Sequence, residues 1–498
     1  MSRLESRPPF GLAQGAIAAL GLVTLAGCAV GPDYKRPESP LPDQFNQARA
    51  ESPADQPTAP MQKDWWTLFQ DATLNDLVDQ ALARNTDMQL AVARVEEADA
   101  LAREAGAAQF PQINGNLGSS RTQASTKTAT PTPAGTPRLR DSRSASLSTA
   151  FEIDVWGRLR RASEAARAQA LASHYAQDTV QLSLAGLVAS NYLALRAYDA
   201  ELAVTRETVA SREASLKIVK VRQEAGLVSP VDLHQAESSL AAAQAQLAGL
   251  RQQRALAEHQ IALLVGTPGF TVAPGDIRQL PLPPVPPAGL PSSLLQARPD
   301  VRQAEETLVS ANAQIGVVKA TLYPTITLTG SLGSESKALS DLFTSAASTW
   351  ALGLNLVMPL LDAGRHAAQV DQASARQKQA VASYQKTVQT AFKEVNDALV
   401  TLRESAEKER AQAIQAEAAK KVLALTQYRY EAGYSAYLDL LDAQRSANDA
   451  QLNYLNSRQT RLTSTVDLFK SLGGGWKDNS PRPVEAPAKP LAQAPQPK

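Results

Sequence analysis

Two kinds of hydrophobic spacing alternate along this chain, and each occurs twice. Between residues 144 and 155 the odd positions Ala145, Leu147, Thr149, Phe151, Ile153 and Val155 alternate with Ser144, Ser146, Ser148, Ala150, Glu152 and Asp154. A period of two predicts a strand with one apolar and one polar face. Ile326, Leu328, Gly330 and Leu332 alternate in the same way with Thr325, Thr327, Thr329 and Ser331, and Trp350, Leu352, Leu354, Leu356 and Met358 follow the same rule. A fourth strand, from Ile113 to Arg121, is weakly patterned. Strands of about ten residues with this alternation suit an outer-membrane barrel, while ordinary half-buried sheet is the alternative.

The strands are separated by proline-free stretches, Arg158 to Ala225 and Arg365 to Ala432, rich in Ala with apolar positions three or four apart. Each predicts a helix of about 100 Å if continuous, suited to coiled-coil packing. Gly226 and Gly433 end them as left-handed caps. Ser229-Pro230-Val231-Asp232 then offers an N-cap, an N1 proline and an acidic N3, so a return arm is expected from Ser229 to Val265 and its equivalent from Ala436 to Leu472. A further helix is expected from Trp65 to about Gln109, where Leu74, Leu77, Val78, Ala81 and Leu82 fall at helical spacing.

The chain is internally duplicated. Arg222-Gln-Glu-Ala-Gly226 recurs as Arg429-Tyr-Glu-Ala-Gly433, an offset of 207 that also relates Gly157-Arg158 to Gly364-Arg365. Phe110-Pro111 and Tyr323-Pro324 correspond at an offset of 213, so the first copy carries six extra residues in a loop between these markers. Repetition of this kind has to be settled before a fold is assigned.

Arg3, Arg7, an apolar run and Leu25-Ala26-Gly27-Cys28 mark residues 1–27 as a signal peptide. Residues 28–63, rich in proline, read as an extended strap, 64–267 as the first structural repeat and 268–298 as a Pro-rich connector. The second repeat spans 299–476, and 477–498 is expected to be disordered. Cys28 is the only cysteine, which excludes disulfides within one chain and cysteine-based zinc sites. Formal charge is +1 for the whole chain, and removing Arg3, Glu5 and Arg7 with the signal brings it to zero. With no Lys/Arg run either, a nucleic-acid partner is not expected. No later run reaches the length of a spanning helix, which argues against a multi-helix transporter.

Four strands cannot close a membrane barrel, and open edges in lipid leave backbone groups unpaired. Three copies would supply twelve strands. In order and spacing, Cys28-Ala-Val-Gly-Pro-Asp-Tyr-Lys-Arg-Pro37, Trp65-Trp66-x-x-Phe69, Asp154-Val-Trp156-Gly157-Arg158, Arg298-Pro299-Asp300-Val301 with Ala304-Glu305, and the doubled Glu-Ala-Gly turns resemble the TolC-like outer-membrane factors. Within them the likeness is to the NodT-type lipoproteins that serve RND efflux pumps. The resemblance implies a mainly α fold with a β-barrel contribution: a homotrimer whose twelve-stranded barrel continues into a periplasmic α-barrel of coiled-coil hairpins. It also implies no cofactor beyond a covalent lipid on Cys28, contact with outer-membrane lipid, and partners in a periplasmic membrane-fusion adaptor and an inner-membrane RND-type transporter. The competing expectation is a lipid-anchored periplasmic scaffold or adaptor without a pore.

No catalytic or metal site is expected. His174, His234, His259 and His366 are dispersed without paired ligand spacing. Ser334-x-x-Lys337 and Ser383-x-x-Lys386 match a serine–lysine nucleophile pattern only formally. Asp439 and Asp442, three apart, share a helical face. The resemblance assigns them to a constricted periplasmic mouth, with Asp232 contributing less from the first copy and Tyr430 helping to hold the mouth closed. The bland alternative for Asp439 is a helix cap. The turns at Gly226-Leu227 and Gly433-Tyr434 would form the rim that meets the adaptor. Glu152 and Asp154 are expected to face a lumen, with Asp154 an alternative partner for Arg158.

Overall fold

The computed structural model describes residues 29–38, 42, 45, 61–125, 127, 135, 137–285 and 294–478. Cys28 and the rest of the signal segment, most of the strap beyond Glu38, part of the connector and residues 479–498 lie outside them. After a 3₁₀ turn at Trp65–Phe69 the elements run α1 (Ala72–Arg84), α2 (Thr86–Ala107), β1 (Gln112–Gln123), β2 (Leu139–Glu152), α3 (Arg158–Glu224) and α4 (Pro230–Val265). The series then repeats as α5 (Pro299–Ala320), β3 (Thr325–Ser336), β4 (Ser348–Val357), α6 (Arg365–Glu431) and α7 (Tyr437–Ser471). The long helices start at the expected residues and end one residue early.

The expected helix from Trp65 to Gln109 is instead three segments. Asp71 accepts the N–H groups of Thr73 and Leu74 at 2.8 and 3.1 Å and so starts α1. Asn85 ends it in an extended conformation and caps α2 by accepting from Asp87 and Met88. Its amide also donates 2.9 Å to the Leu264 carbonyl, so a buried cap does the work of a break that hydrophobic spacing does not reveal.

The chain resolves into two compact units, each drawn from both copies. One comprises residues up to Glu38, 95–173 and 304–384; the other comprises 39–94, 174–303 and 385–498.

The first unit carries a four-stranded antiparallel sheet in the order β1-β2-β3-β4. Ile113, Leu147, Leu332 and Trp350 lie on one face, as the pairs Ile113↔Thr149, Leu147↔Leu332 and Leu332↔Trp350 require. The opposite face presents Asn116, Ser148, Ser331 and Ala351. The apolar face is the exposed one to an unusual degree, with Leu117 87% and Trp350 77% exposed. A soluble sheet buries such a face.

At the base of the sheet Trp156 stacks on Tyr323 with centroids 4.7 Å apart and donates 2.8 Å to the Pro324 carbonyl. Glu152 and Asp154 are committed here. Glu152 receives Arg158 at 2.8 and 2.5 Å, while Asp154 accepts the N–H groups of Leu159 and Arg160 and pairs with the Arg160 side chain. Asp154 thus pairs with Arg160 rather than Arg158, because it serves as the cap that starts α3.

Residues 29–36 run along α5 against its direction. Val30 N–H donates 3.0 Å to the Trp156 carbonyl, and Asn312 donates 2.9 Å to the Pro32 carbonyl. Arg161 reaches Asp33, and Arg36 binds both Glu305 oxygens at 2.6 and 2.9 Å. A Cβ on Gly316 would stand 2.8 Å from the Val30 carbonyl oxygen, so only glycine admits the segment.

The second unit holds the main core. Trp65 and Phe69 pack with Leu74, Leu77, Val78, Val188, Tyr192, Ile261 and Phe469. Buried Asp199 accepts from Arg196 and Arg254, and those arginines also bind the Ala273 and Val272 carbonyls of the connector. The segment expected to be disordered begins ordered: Asp478 accepts from Tyr175 and Arg302.

Candidate functional site

The expected mouth residues lie on two chain reversals in the second unit. Each follows from one glycine. Gly226 (φ 70°) and Gly433 (φ 81°) are left-handed, and the next residues, Leu227 and Tyr434, donate 2.8 Å back to the carbonyls of Arg222 and Arg429. These are Schellman closures. Leu227 and Tyr434 are exposed, as are Val231, Tyr428 and Leu438 nearby, so both tips present apolar surface.

Beyond the glycines the tips differ. In the first, Ser229 Oγ accepts from Val231 and Asp232 accepts from Ser229 N–H at 3.1 Å, a complete capping box with Pro230 at N1. In the second the N-cap is Ala436, which has no side-chain oxygen. Asp439 supplies the remaining half, accepting 3.2 Å from Ala436 N–H and 2.8 Å from Ser435 Oγ. The capping role of Asp439 is therefore present in the fold. Asp442 joins Asp439 on the wall of an open groove of about 780 Å³, lined also by Ala418, Val422 and Leu438 and by the polar Gln415, Thr426 and Ser446 of α6 and α7.

Tyr430 is buried beside Tyr437, their centroids 5.8 Å apart, in a small core with Val219, Ala236, Leu440 and Leu441. The Arg222 guanidinium lies 4.8 Å above the Tyr430 ring. Both tyrosine hydroxyls are buried without a hydrogen-bond partner among the described residues. Burial raises the Tyr437 hydroxyl and lowers the Arg212 guanidinium, which is itself buried near Tyr437. Sequence reasoning found Tyr430 and missed Tyr437, Arg222 and Arg212, which come together only through packing of α3 on α6 and α7. The one available signal was the pair of tyrosines flanking a glycine turn.

Among the described residues no three His, Cys, Asp or Glu side chains converge as metal ligands. His234 meets Glu237 at 3.0 Å, and His366 meets Asp362. No helix is long and apolar enough to cross a membrane among the described residues.

A sheet that exposes its apolar face, joined to 67-residue helices reversed at glycine turns, is the fold of outer-membrane channels. The Campylobacter jejuni CmeC outer membrane channel superposes with a TM-score of 0.84 at 25% identity, covering 91% of this chain and 96% of that one. The outer-membrane channel OprN matches at 0.82 with 29% identity over 90% and 100%. The chain belongs to the outer membrane efflux protein family, whose sequence model matches residues 77–267 and 290–474. Among its relatives are the solvent efflux pump outer membrane protein SrpC of Pseudomonas putida, 36% identical over 91% of this chain and 97% of that protein, and OprJ of Pseudomonas aeruginosa, 33% identical over 95% and 97%. The protein is thus an outer-membrane channel component of an efflux system.

Proposed function

We propose that three copies of this chain close a twelve-stranded barrel and that their helical hairpins form the conduit beneath it. The observation that carries this reading is the sheet, with an exposed apolar face and two edge strands, β1 and β4, that have no partner among the described residues. Backbone groups at such edges require pairing in hydrocarbon, and a pore-free scaffold has no use for them. Cys28, one residue before the anchored Ala29, is the acylated residue in this reading.

The two tips form the rim that meets a periplasmic adaptor and, through it, an inner-membrane RND-type transporter. Gly226-Leu227 and Gly433-Tyr434 supply exposed apolar turns for that contact. Asp439 and Asp442, with Asp232, ring the mouth in a threefold assembly, and Tyr430 braces it. Close carboxylates repel one another and attract cations. Transport is passive passage through the duct, with no cofactor and no reaction.

The test is reconstitution in planar bilayers with chemical crosslinking of the same preparation. Small cation-selective steps from a crosslinkable trimer are expected, and the Asp439→Ala/Asp442→Ala variant should lose cation block and conduct more. A monomer that leaves the bilayer silent rejects the duct, and unchanged conductance in the variant rejects the mouth assignment.

A further inference from the structure

The duplication does more than predict two similar halves, because it carries strand registers from one place to another. β1 corresponds to β3 at the offset of 213, and β2 corresponds to β4 at 207. Applied to the first hairpin, these offsets turn Ile113↔Thr149 into Ile326↔Leu356 and Leu117↔Ala145 into Gly330↔Leu352. Both are pairs of the second hairpin as observed. The copies therefore preserve register, not only element order.

The seam between copies within the chain is β2 against β3, with Thr149↔Gly330, Leu147↔Leu332 and Phe151↔Leu328. Its equivalent one repeat further on would join β4 to a strand like β1, and among the described residues both are unpaired edges. We propose that β4 of one copy pairs antiparallel with β1 of a second copy in the register inherited from the β2–β3 seam, which sets Leu356 opposite Leu117, Leu354 opposite Ser119 and Met358 opposite Gly115. This inference rests on the assembly reading above and adds its register.

Independent features agree with it. The inherited register places the apolar side chains of β4 on the same face as Ile113 and Leu117; a slip of one residue would set them on opposite faces. The residues it brings together are strongly exposed in the single chain: Leu117 87%, Ile113 72%, Leu356 64% and, beyond the end of β4, Leu360 89%. The internal seam continues past its last ladder pair, with Ile153 N–H donating 2.8 Å to the Ile326 carbonyl. Its counterpart is a bond from Leu360 N–H to the second copy's Ile113 carbonyl. One feature does not carry over. Trp156, which stacks on Tyr323, becomes Ala363, so the seam between copies lacks that ring contact.

The test is disulfide trapping in the full chain in outer-membrane vesicles, with native Cys28 retained in every sample. Leu117→Cys with Leu356→Cys should give covalent rings of three copies. The same two positions lie on opposite edges of one sheet, separated by at least three strand spacings, more than about 14 Å and beyond the roughly 7 Å that a disulfide spans. Pairing Leu117→Cys with Leu354→Cys or Met358→Cys, each two residues out of register, should trap several-fold less. Ser119→Cys with Leu354→Cys tests the same register at a second place, and Leu147→Cys with Leu332→Cys should close within one chain. An out-of-register pair trapping best, or trimers by chemical crosslinking with no pair trapped, overturns the register. Absence of any trimer overturns the assembly reading instead.

Discussion

The two copies build the same hairpin and secure it by different means. At the first tip, local chemistry closes the reversal: Ser229, Pro230 and Asp232 complete a box within four residues. At the second, the position equivalent to Pro230 is Tyr437, which is 4% exposed and packed against Tyr430, and the cap is only half made. Buried carboxylates in mid-helix also differ, though not at equivalent positions. Buried Glu409 of α6 is held by Arg458 and Arg461 at 2.9 and 2.8 Å, whereas buried Glu201 of α3 has an oxygen without a partner among the described residues. Duplication fixes backbone geometry, and afterwards each copy is free to choose between local and long-range stabilisation.

The largest effect that separates the copies is expected from Tyr437→Ala. Removing a buried ring costs about 3–5 kcal/mol, while the equivalent change of exposed Pro230 to Ala costs about 1 kcal/mol or less. Amide hydrogen exchange at the two tips measures both. Equal protection losses would show that the copies are stabilised alike.

A smaller effect, and one with a sign in pH, belongs to Glu201. Burial raises its carboxyl from 4.5 to about 7. Between those values the unfolded chain is ionised and the folded chain still holds the proton, so stability falls as pH rises from 4.5 to 7 and the penalty is complete above 7. Glu201→Gln should therefore raise the thermal midpoint at pH 8, by up to about 3 kcal/mol of stability, and leave it nearly unchanged at pH 4. A variant that melts lower at pH 8 would mean that the carboxylate is ionised and paired in the assembled protein.

The smallest effects concern the caps. Ser229→Ala should cost about 1 kcal/mol, and Ala436→Ser should gain about 0.5–1 kcal/mol by completing the second box, both read as local exchange at the tips. Failure of Ala436→Ser to protect its tip would show that packing of Tyr437 already holds the helix start.

Much of this fold was legible because it rests on short-range periodicity. The alternation of Ala145, Leu147 and Phe151 marked β2, and Gly226 and Gly433 marked both reversals. What stayed hidden depends on contacts distant in sequence. Asn85 breaks a helix whose hydrophobic spacing continues, because its amide finds the Leu264 carbonyl. For Glu152 and Asp154 the sequence suggests a lumen, and for Asp154 also Arg158; which arginine each meets, Arg158 for Glu152 and Arg160 for Asp154, is decided only where the strand turns into α3. Arg212 and Arg222 reach the tyrosines across helices, and no spacing rule connects residue 222 with residue 430.

The fastening of residues 29–36 has a consequence for biogenesis. Trp156 and Arg161 belong to the first copy, but the partners Glu305, Asn312 and Gly316 are specified roughly 280 positions later, so docking along α5 waits until the second copy has emerged. Nothing translocated earlier supplies Glu305 or Asn312, and contacts of such long sequence separation form slowly. The interval between emergence and docking is a window in which residues 29–36 stay accessible. Folding closes that window from the far half of the molecule.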